Sequence, residues 1–178
     1  MIKPTPSQTV GPFYGYALPF AGGGDLAHGG IVLHGRVYDG AGEPVPDALL
    51  EFWQSDPDGG LRGAPGSLRR DPVTGAIIGR HGLDFTGFGR VATDADGRWM
   101  LRTLMPGLPY ISVCVFARGL GHHLYTRAYL RDEPDDRLLA ALEPGRRATL
   151  MAAEQREGVY VFDVRLQGEQ ETVFLDFG

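Results

Sequence analysis

Glycine and proline are spread along the whole chain, and this distribution constrains the fold more than any other feature. The 178 residues include 27 glycines and 13 prolines, which separate short apolar runs instead of gathering in one linker. Both residue types interrupt helices and favour turns, so they are typical of many short strands joined by turns. Since each strand has an apolar face that must be covered, the sequence predicts an all-β, two-sheet β-sandwich with long loops.

Eight segments have the composition or the alternation of strands. Apolar and polar residues alternate most clearly in 159–166, and residues 111–116 are almost continuously apolar, as a core strand would be. Residues 94–97 (DADG) predict a hairpin turn between two of the strands. The eight predicted strands are 31–38, 49–54, 90–93, 99–104, 111–116, 124–130, 159–166 and 172–177.

Two stretches are predicted to differ from this pattern. Residues 61–88 show little alternation and are predicted to be a long surface excursion. Residues 135–142 (DDRLLAAL) predict two helical turns that start at Asp135 and end before Pro144.

The first 30 residues are predicted to form an extended N-terminal arm, and residues 31–178 the sandwich domain. The arm has no helical or strand period, yet it contains the aromatic residues Phe13, Tyr14, Tyr16 and Phe20. A free tail would be polar, so we expect this arm to pack on a partner subunit.

Composition argues against several classes of protein. The net charge is -5 and no basic run stands out, which gives nucleic-acid binding little support. The single cysteine, Cys114, excludes an internal disulfide framework and suits a reducing compartment. The N-terminus lacks the apolar stretch of a secretion signal, and no window approaches the ~20 apolar residues of a membrane helix. We therefore expect a cytoplasmic protein that binds neither nucleic acid nor membrane.

The motifs give little sign of a metal site or a nucleophile. His122 and His123 are adjacent, and neighbouring residues of a strand face opposite sides. The acidic segments 56–59 and 94–97 lack the later ligands of a calcium loop, and we interpret them as turns. Cys114 lies in an apolar run, which indicates a packing role.

Two segments allow a functional interpretation beside a purely structural one. In residues 9–13 (TVGPF), Gly11 and Pro12 restrict the backbone and Thr9 offers a hydroxyl, although an ordered turn would have the same sequence. Arg118 follows the apolar run and precedes a glycine, so it is predicted at a strand end. Its guanidinium could hold a carboxylate through two parallel hydrogen bonds, or it could form an ordinary ion pair.

Five stretches taken together resemble the intradiol ring-cleavage dioxygenases, and in particular the iron-free α subunit of the two-subunit members of that family. They cover nearly the whole chain in order, and the first and last are the most specific. These stretches are TPSQTVGPF at 5–13, HGRVYDGAGEPVPDALLEFWQSD at 34–56, FGRVATDADGRWMLRTLMPG at 88–107, FARGLGHHLYTRAYL at 116–130 and VRLQGEQETVFLDF at 164–177.

The resemblance implies that this chain holds no metal. Catalytic subunits of the family bind Fe(III) through two tyrosines and two histidines, and the histidines form a His-x-His pair. Tyr110 and Ser112 stand at the positions of that pair, and there is no tyrosine between Tyr38 and Tyr110. A sequence without these donors is not expected to hold ferric iron. The expected cofactor is therefore Fe(III) held by a homologous β subunit.

The resemblance also implies an activity for the α–β complex, while the α chain alone would be inactive. The reaction is insertion of O2 between the hydroxyl-bearing carbons of 3,4-dihydroxybenzoate, a catechol, which gives 3-carboxy-cis,cis-muconate. In the family, the N-terminal loop and an arginine of the α subunit reach the β-subunit site, and we expect Arg118 to attract or orient the substrate carboxylate. Phe13 stands where many members have tyrosine. The implied substrate-binding residues are Thr9, Gly11, Pro12, Phe13 and Arg118.

Two alternatives stay open at the level of sequence. The first is a self-sufficient intradiol dioxygenase with unusual ligands such as His122 or His123. The second is a sandwich of the transthyretin-like type, used for binding and without enzymatic activity.

Overall fold

Extended segments dominate the computed structural model, which describes residues 18–61, 68–80 and 85–177. Their strands form a five-stranded sheet, a four-stranded sheet and a separate two-stranded hairpin. Buried side chains from the two larger sheets form one shared core. The predicted all-β sandwich is confirmed.

Strand β1 is the centre of the first sheet. Its burial alternates along all eight residues, with Leu33 and Val37 fully buried, so one face is directed into the core. Strand β6 pairs with it antiparallel on one side, and β10 and β11 pair with it parallel on the other, while β9 extends the sheet beyond β10. These strands are β1 (Ile31–Tyr38), β6 (Arg98–Thr103), β9 (Ala153–Arg156), β10 (Val159–Val161) and β11 (Val164–Arg165).

The second sheet is entirely antiparallel and has the order β5-β2-β7-β8. The inward side chains of its two central strands are apolar, which explains why the run of residues 111–116 reads as a core strand. The strands are β2 (Leu49–Trp53), β5 (Phe88–Ala92), β7 (Tyr110–Phe116) and β8 (Leu124–Tyr129).

Aromatic packing joins the two sheets. Phe52 of β2 and Trp99 of β6 are both buried, and their ring centroids lie 5.0 Å apart at a tilt of 38°. Leu33, Leu101 and Val113 are buried in the same cluster. The core therefore lies between the sheets, and the outer face of each sheet remains available for other contacts.

The predicted strand 159–166 is interrupted in the structure. Phe162 and Asp163 separate β10 from β11, and the Asp163 carboxylate accepts a hydrogen bond from the Arg36 backbone N–H at 2.9 Å. A side chain thus replaces the backbone acceptor that a continuous ladder would supply. The apolar–polar alternation of residues 159–166 gives no sign of this interruption, because the interruption does not change which side chains face inward.

The prediction of a hairpin at residues 94–97 is wrong, although the turn itself is present. Asp94 N–H donates to the Arg98 carbonyl at 3.0 Å, and Asp94 Oδ1 accepts from two backbone N–H groups. The strands that flank the turn then diverge, because β5 pairs with β2 and β6 pairs with β1. The turn therefore passes the chain from one sheet to the other.

The surface excursion contains regular structure that the sequence did not predict. Strands β3 (Leu68–Arg70) and β4 (Ile77–Arg80) pair antiparallel within it. The Arg80 guanidinium donates to the Thr86 hydroxyl at 3.1 Å, to the Phe88 carbonyl and to the Gly23 carbonyl at 3.0 Å. The hairpin is thus attached to the sandwich by one arginine.

The helical segment has two short helices, α1 (Arg137–Ala141) and α2 (Pro144–Ala148), where one was predicted. The first is capped by Asp136 and not by Asp135, since Asp136 Oδ1 accepts from the N–H groups of Leu138 and Leu139. Neither helix, nor any other in the described ranges, is long and apolar enough to span a membrane.

Residues 172–177 do not form the predicted strand. Only an isolated bridge joins Leu175 to Tyr125, with the Leu175 N–H donating to the Tyr125 carbonyl at 2.8 Å. The segment thus runs antiparallel beside β8 without forming a regular strand.

The described part of the predicted arm, residues 18–30, contacts this chain's own sandwich. Leu26 is buried in the core, and the carbonyl groups of Gly23 and Gly24 accept hydrogen bonds from the N–H groups of Arg90 and Arg102. Residues 1–17 lie outside the described ranges, so packing of the arm on a partner stays a prediction.

Candidate functional site

The outer face of the second sheet carries polar and aromatic side chains in rows that cross the strands. In one row Phe88, Trp53, Ser112 and Arg127 are successive cross-strand partners. The next row contains Arg90, Glu51, Cys114 and Tyr125, and Tyr110 is opposite Tyr129 on the other side. The positions expected for the family's histidine ligands, Tyr110 and Ser112, therefore lie on this face.

Tyr110 and Ser112 are two residues apart on β7, and both are partly exposed on the same side of the sheet. This is the geometry that a His-x-His pair on a strand requires, since alternate residues share a face. The strand thus has the geometry of such a pair, with a phenol and a hydroxyl at the two positions.

A fixed positive charge lies directly beside these positions. Arg127 is the cross-strand partner of Ser112, and its guanidinium carbon lies 4.1 Å from the centroid of the Tyr110 ring. Arg127 Nη1 donates to the Tyr129 hydroxyl at 3.1 Å and lies 3.7 Å from Asp136 Oδ2. Because Asp136 also caps α1, the helix holds the guanidinium in place.

Burial shifts the pKa values of three acidic side chains on this face. Burial raises the pKa of Tyr129 to about 12, more than the neighbouring Arg127 lowers it. Burial, with a smaller contribution from Glu51, raises the pKa of the Cys114 thiol to about 12. Burial also raises the pKa of Tyr125. These three side chains are therefore neutral at neutral pH in the metal-free chain.

The described residues do not fit a ferric ion elsewhere. In residues 18–61, 68–80 and 85–177, no three histidine, cysteine, aspartate or glutamate side chains are close enough to share a metal. His123 packs between aromatic rings, 5.4 Å from the centroid of Phe116 and 4.7 Å from that of Tyr125.

The two acidic segments form turns, as predicted. The Asp56 carboxylate accepts from the N–H groups of Asp58 at 3.0 Å and Gly60 at 2.7 Å, and Asp94 makes the equivalent contacts with Asp96 and Arg98. These carboxylates therefore shape the chain locally.

A groove of about 550 Å³ opens on the same outer face of the second sheet. Trp53, Tyr125 and the C-terminal Phe177 supply aromatic walls, Cys114 contributes a neutral apolar surface, and Arg127 borders it. A smaller cavity of about 150 Å³ shares Trp53 and Ser112 with this groove. Helix α1 and the loop after it cover the Tyr129 end of the face, where Leu139 and Leu150 pack against Tyr129.

Arg118 lies two residues beyond the end of β7, as the sequence predicted. Its side chain is 69% exposed, and its Nη2 contacts Asp47 Oδ2. The Asp47 side chain is more buried, at 23% exposure, so the carboxylate acts as the fixed partner of a projecting guanidinium. Arg118 thus forms the ion pair that the sequence allowed. Its exposure leaves the other interpretation, binding of a substrate carboxylate, open.

The other predicted substrate-binding residues, Thr9, Gly11, Pro12 and Phe13, lie outside the described residues. Their roles stay predictions. The structure places Tyr110 and Ser112, the positions where the resemblance expects metal ligands, on one face of β7. Arg118 lies beyond the far end of the same strand.

Sequence reasoning missed Arg127, Trp53 and Asp136. Alternation along β8 could have placed Tyr125, Arg127 and Tyr129 on one face, since they are two residues apart. The capping role of Asp136 and its approach to Arg127 had no such signal, because they depend on how α1 returns over the sheet.

Comparison with known proteins identifies the class to which this sandwich and face belong. A profile of the Dioxygenase family matches residues 21–120, which is more than half of the chain. The chain therefore belongs to the intradiol dioxygenase family.

Within that family, the similarity is most extensive to one kind of subunit. The chain is 40% identical to the protocatechuate 3,4-dioxygenase α chain of Burkholderia cepacia, with 98% of both chains covered. It is 36% identical to the α chain of Pseudomonas putida, over 99% of this chain and 98% of the relative. The β chain of Burkholderia cepacia is 30% identical over 80% of this chain and 66% of its own length.

Solved structures agree with this assignment. The dioxygenase domain of a dioxygenase–carbohydrate-binding fusion protein from Streptomyces sp. SirexAA-E superposes with a TM-score of 0.53 at 27% identity, over 93% of this chain and 99% of that one. The 3-chlorocatechol 1,2-dioxygenase of Rhodococcus opacus 1CP gives a TM-score of 0.51 at 18% identity, over 92% and 67% of the two chains, and supports the fold alone.

Proposed function

We propose that this chain is the iron-free α subunit of a protocatechuate 3,4-dioxygenase. With a β subunit that holds Fe(III), it would cleave 3,4-dihydroxybenzoate between its hydroxyl-bearing carbons, using O2 and giving 3-carboxy-cis,cis-muconate. The observation that carries the proposal is that Tyr110 and Ser112, where the resemblance expects two histidine ligands, share one strand face beside the Arg127 guanidinium.

The extent of the similarity supports the α assignment. The α-chain relatives match over 98% or more of this chain, whereas the β-chain relative matches over 80%. The existence of homologous α and β chains supports a hetero-oligomer, in which two related sandwiches pack as a pseudo-symmetric pair.

Ferric iron is assigned to the partner because this chain has no suitable donor set in its described part. A metal at the Tyr110 and Ser112 positions would meet the charge of Arg127. Iron in the β subunit would supply the activation of substrate and O2. The present chain would contribute binding and orientation of the substrate.

Arg118 is the described residue best placed for that contribution. It projects from the end of a rigid core strand, is largely exposed, and is braced by Asp47. A guanidinium pairs well with a planar carboxylate, and the substrate carries one carboxylate. We assign to Arg118 the role of attracting or orienting that group. The resemblance adds substrate contacts by Thr9, Gly11, Pro12 and Phe13 of the arm.

Separate expression and co-expression with a β chain test the assignment of iron. We expect the chain purified alone to be colourless, poorly soluble, inactive and free of stoichiometric iron. Co-expression should give a red-brown complex, because charge transfer from tyrosinate to iron colours the partner's site. Iron analysis and visible absorption are the measurements. Stoichiometric iron and catechol cleavage by the purified single chain would contradict the proposal.

Replacement of Arg118 tests its role in the complex. Arg118→Ala should raise KM for 3,4-dihydroxybenzoate by about tenfold, because a charge-assisted pair is worth about 1.5 kcal/mol or more, and should change kcat less. Arg118→Lys should recover part of the loss. Arg98→Ala is the matched control, since Arg98 forms an exposed ion pair with Asp96 on the other sheet. Unchanged steady-state kinetics in Arg118→Ala would refute the role.

A further inference from the structure

The groove beside Arg127 has the features of a binding site in its own right. Its volume of about 550 Å³ falls within the range typical of small-molecule sites, roughly 300–1,000 Å³. It is a property of this chain alone, formed by β2, β7, β8 and the C-terminal segment. The function proposed above rests partly on Ser112 and Arg127, which line this groove, but it assigns the groove no ligand.

The walls of the groove suit a flat ring. Trp53 and Tyr125 lie on the sheet, and Phe177 packs edge-on against Tyr125 with ring centroids 5.3 Å apart at 78°. Phe177 is 73% exposed, so an aromatic surface faces solvent at the mouth of the groove. Aromatic side chains in such edge and stacked arrangements bind another ring favourably.

The polar groups of the groove suit a single carboxylate. Arg127 uses only Nη1 in its bond to Tyr129 and its approach to Asp136. Within the described ranges, no residue accepts a hydrogen bond from its Nε or Nη2, and neither atom is among the buried polar atoms without a partner. Since the side chain is 27% exposed and borders the groove, this edge of the guanidinium is open to solvent.

Tyr129 and Asp136 orient the guanidinium from the opposite side. Its plane is further fixed by the Tyr110 ring at 4.1 Å. A guanidinium held in this way has little side-chain entropy left to lose when a carboxylate binds to its free edge. The hydroxyl of Ser112, the cross-strand partner of Arg127, lies on the same wall and offers a further hydrogen bond.

From these contacts we propose that the groove binds a small aromatic carboxylic acid, with the ring between Trp53, Tyr125 and Phe177 and the carboxylate on the free edge of Arg127. The role assigned to the groove is binding alone.

Crystals of the purified protein, as the complex where it forms one, soaked in 4-iodobenzoate locate the site directly. The anomalous signal of iodine is expected beside Tyr125 and Phe177. Density that places iodine only at other positions would refute the groove. Binding at crystal concentration only, with no binding in solution, would count against it equally.

Solution binding is measured by ¹⁹F NMR titration of 4-fluorobenzoate against the same protein and its variants. Arg127→Gln should weaken the groove component by about tenfold or more, because a charge-assisted hydrogen bond is lost. Phe177→Ala should weaken it several-fold, and Ser112→Leu should abolish it by filling the groove. Arg98→Gln, with its arginine on the other sheet, should bind as the parent protein does.

Two further probes separate ring recognition from charge recognition. The neutral isostere 4-fluorobenzamide should bind at least tenfold more weakly than 4-fluorobenzoate, and adipate, a non-aromatic dicarboxylate, should fail to displace 4-fluorobenzoate. Equal binding of the amide would remove the role of Arg127. If Arg127→Gln fails to fold, Phe177→Ala still decides the matter, because Phe177 is exposed at the end of the described chain. All these variants change this chain's own groove, so their outcome is independent of whether the partner's iron or Arg118 behaves as proposed.

Discussion

Asp47 combines two unfavourable features at one residue. It is the single non-glycine residue in the described ranges with a positive φ, at 65°. Its Oδ1 is buried without a hydrogen-bond partner, while its Oδ2 contacts Arg118. Strain of this kind costs on the order of 1 kcal/mol and tends to gather where a side chain must point in one direction. The Asp47 side chain points toward the Arg118 guanidinium.

Replacing Asp47 in the complex tests whether it positions Arg118. Asparagine tolerates the left-handed region, so Asp47→Asn keeps the turn and removes the charge. We expect KM for 3,4-dihydroxybenzoate to rise severalfold, less than in Arg118→Ala, with kcat and the melting temperature nearly unchanged. In an Arg118→Ala background the same change should have no further effect. A fall in melting temperature without any change in KM would show that Asp47 has a structural role only.

At the scale of elements, the close approach of β1 to the junction between β10 and β11 depends on glycine. A Cβ at Gly35 would lie 1.9 Å from the Phe162 carbonyl oxygen, which is a backbone atom that cannot rotate away. The Phe162 N–H donates to the His34 carbonyl at 2.8 Å, so the two chains are tied where they are closest. The absence of a side chain at residue 35 therefore permits this parallel pairing.

Gly35→Ala should destabilise the protein by about 2 kcal/mol or more, since the two strands must separate to admit the methyl group. Chemical denaturation followed by circular dichroism gives the free energy of unfolding. The matched control is Gly145→Ala in α2, where a Cβ would meet nothing within 4 Å and φ is not in the left-handed region. That change should be neutral or slightly stabilising. An equal loss in both variants would contradict the proposed close contact.

Strands were predictable where local alternation matched their final pairing. Residues 31–38 were predicted with the bounds the structure shows, because one face of β1 is buried along its entire length. The division of residues 159–166 and the loop at residues 172–177 were not predictable, since each depends on a partner distant in sequence. Asp163 bonds to Arg36, and Leu175 bonds to Tyr125.

Across the whole molecule, the two sheets share one apolar core to which large aromatic side chains contribute. Phe52 is fully buried and contacts Trp99 of the opposite sheet. The sandwich architecture could be predicted from the spacing of turns and the apolar face of each strand. Which aromatic residues meet across the core could not be predicted. Likewise, the sequence indicated that histidine ligands are missing, but not that an arginine lies beside their positions.

Phe52→Ala should lower the free energy of unfolding by about 3–5 kcal/mol, because it removes transfer free energy and leaves a cavity between the sheets. Thermal and denaturant unfolding measure the change. Leu61→Ala is the control and should have an effect within about 0.5 kcal/mol, since Leu61 is largely exposed. A loss below about 1 kcal/mol in Phe52→Ala would show that the sheets do not depend on this contact.

The Arg127 guanidinium limits what point changes at Tyr110 and Ser112 could achieve. Restoring imidazoles through Tyr110→His and Ser112→His would return two donors to a strand of the right geometry. An incoming cation would still meet a permanent positive charge that is anchored by a tyrosine and by the cap of a helix. Histidines at these two positions would leave this charge in place, so Arg127 would also have to be replaced before a cation could bind at this face.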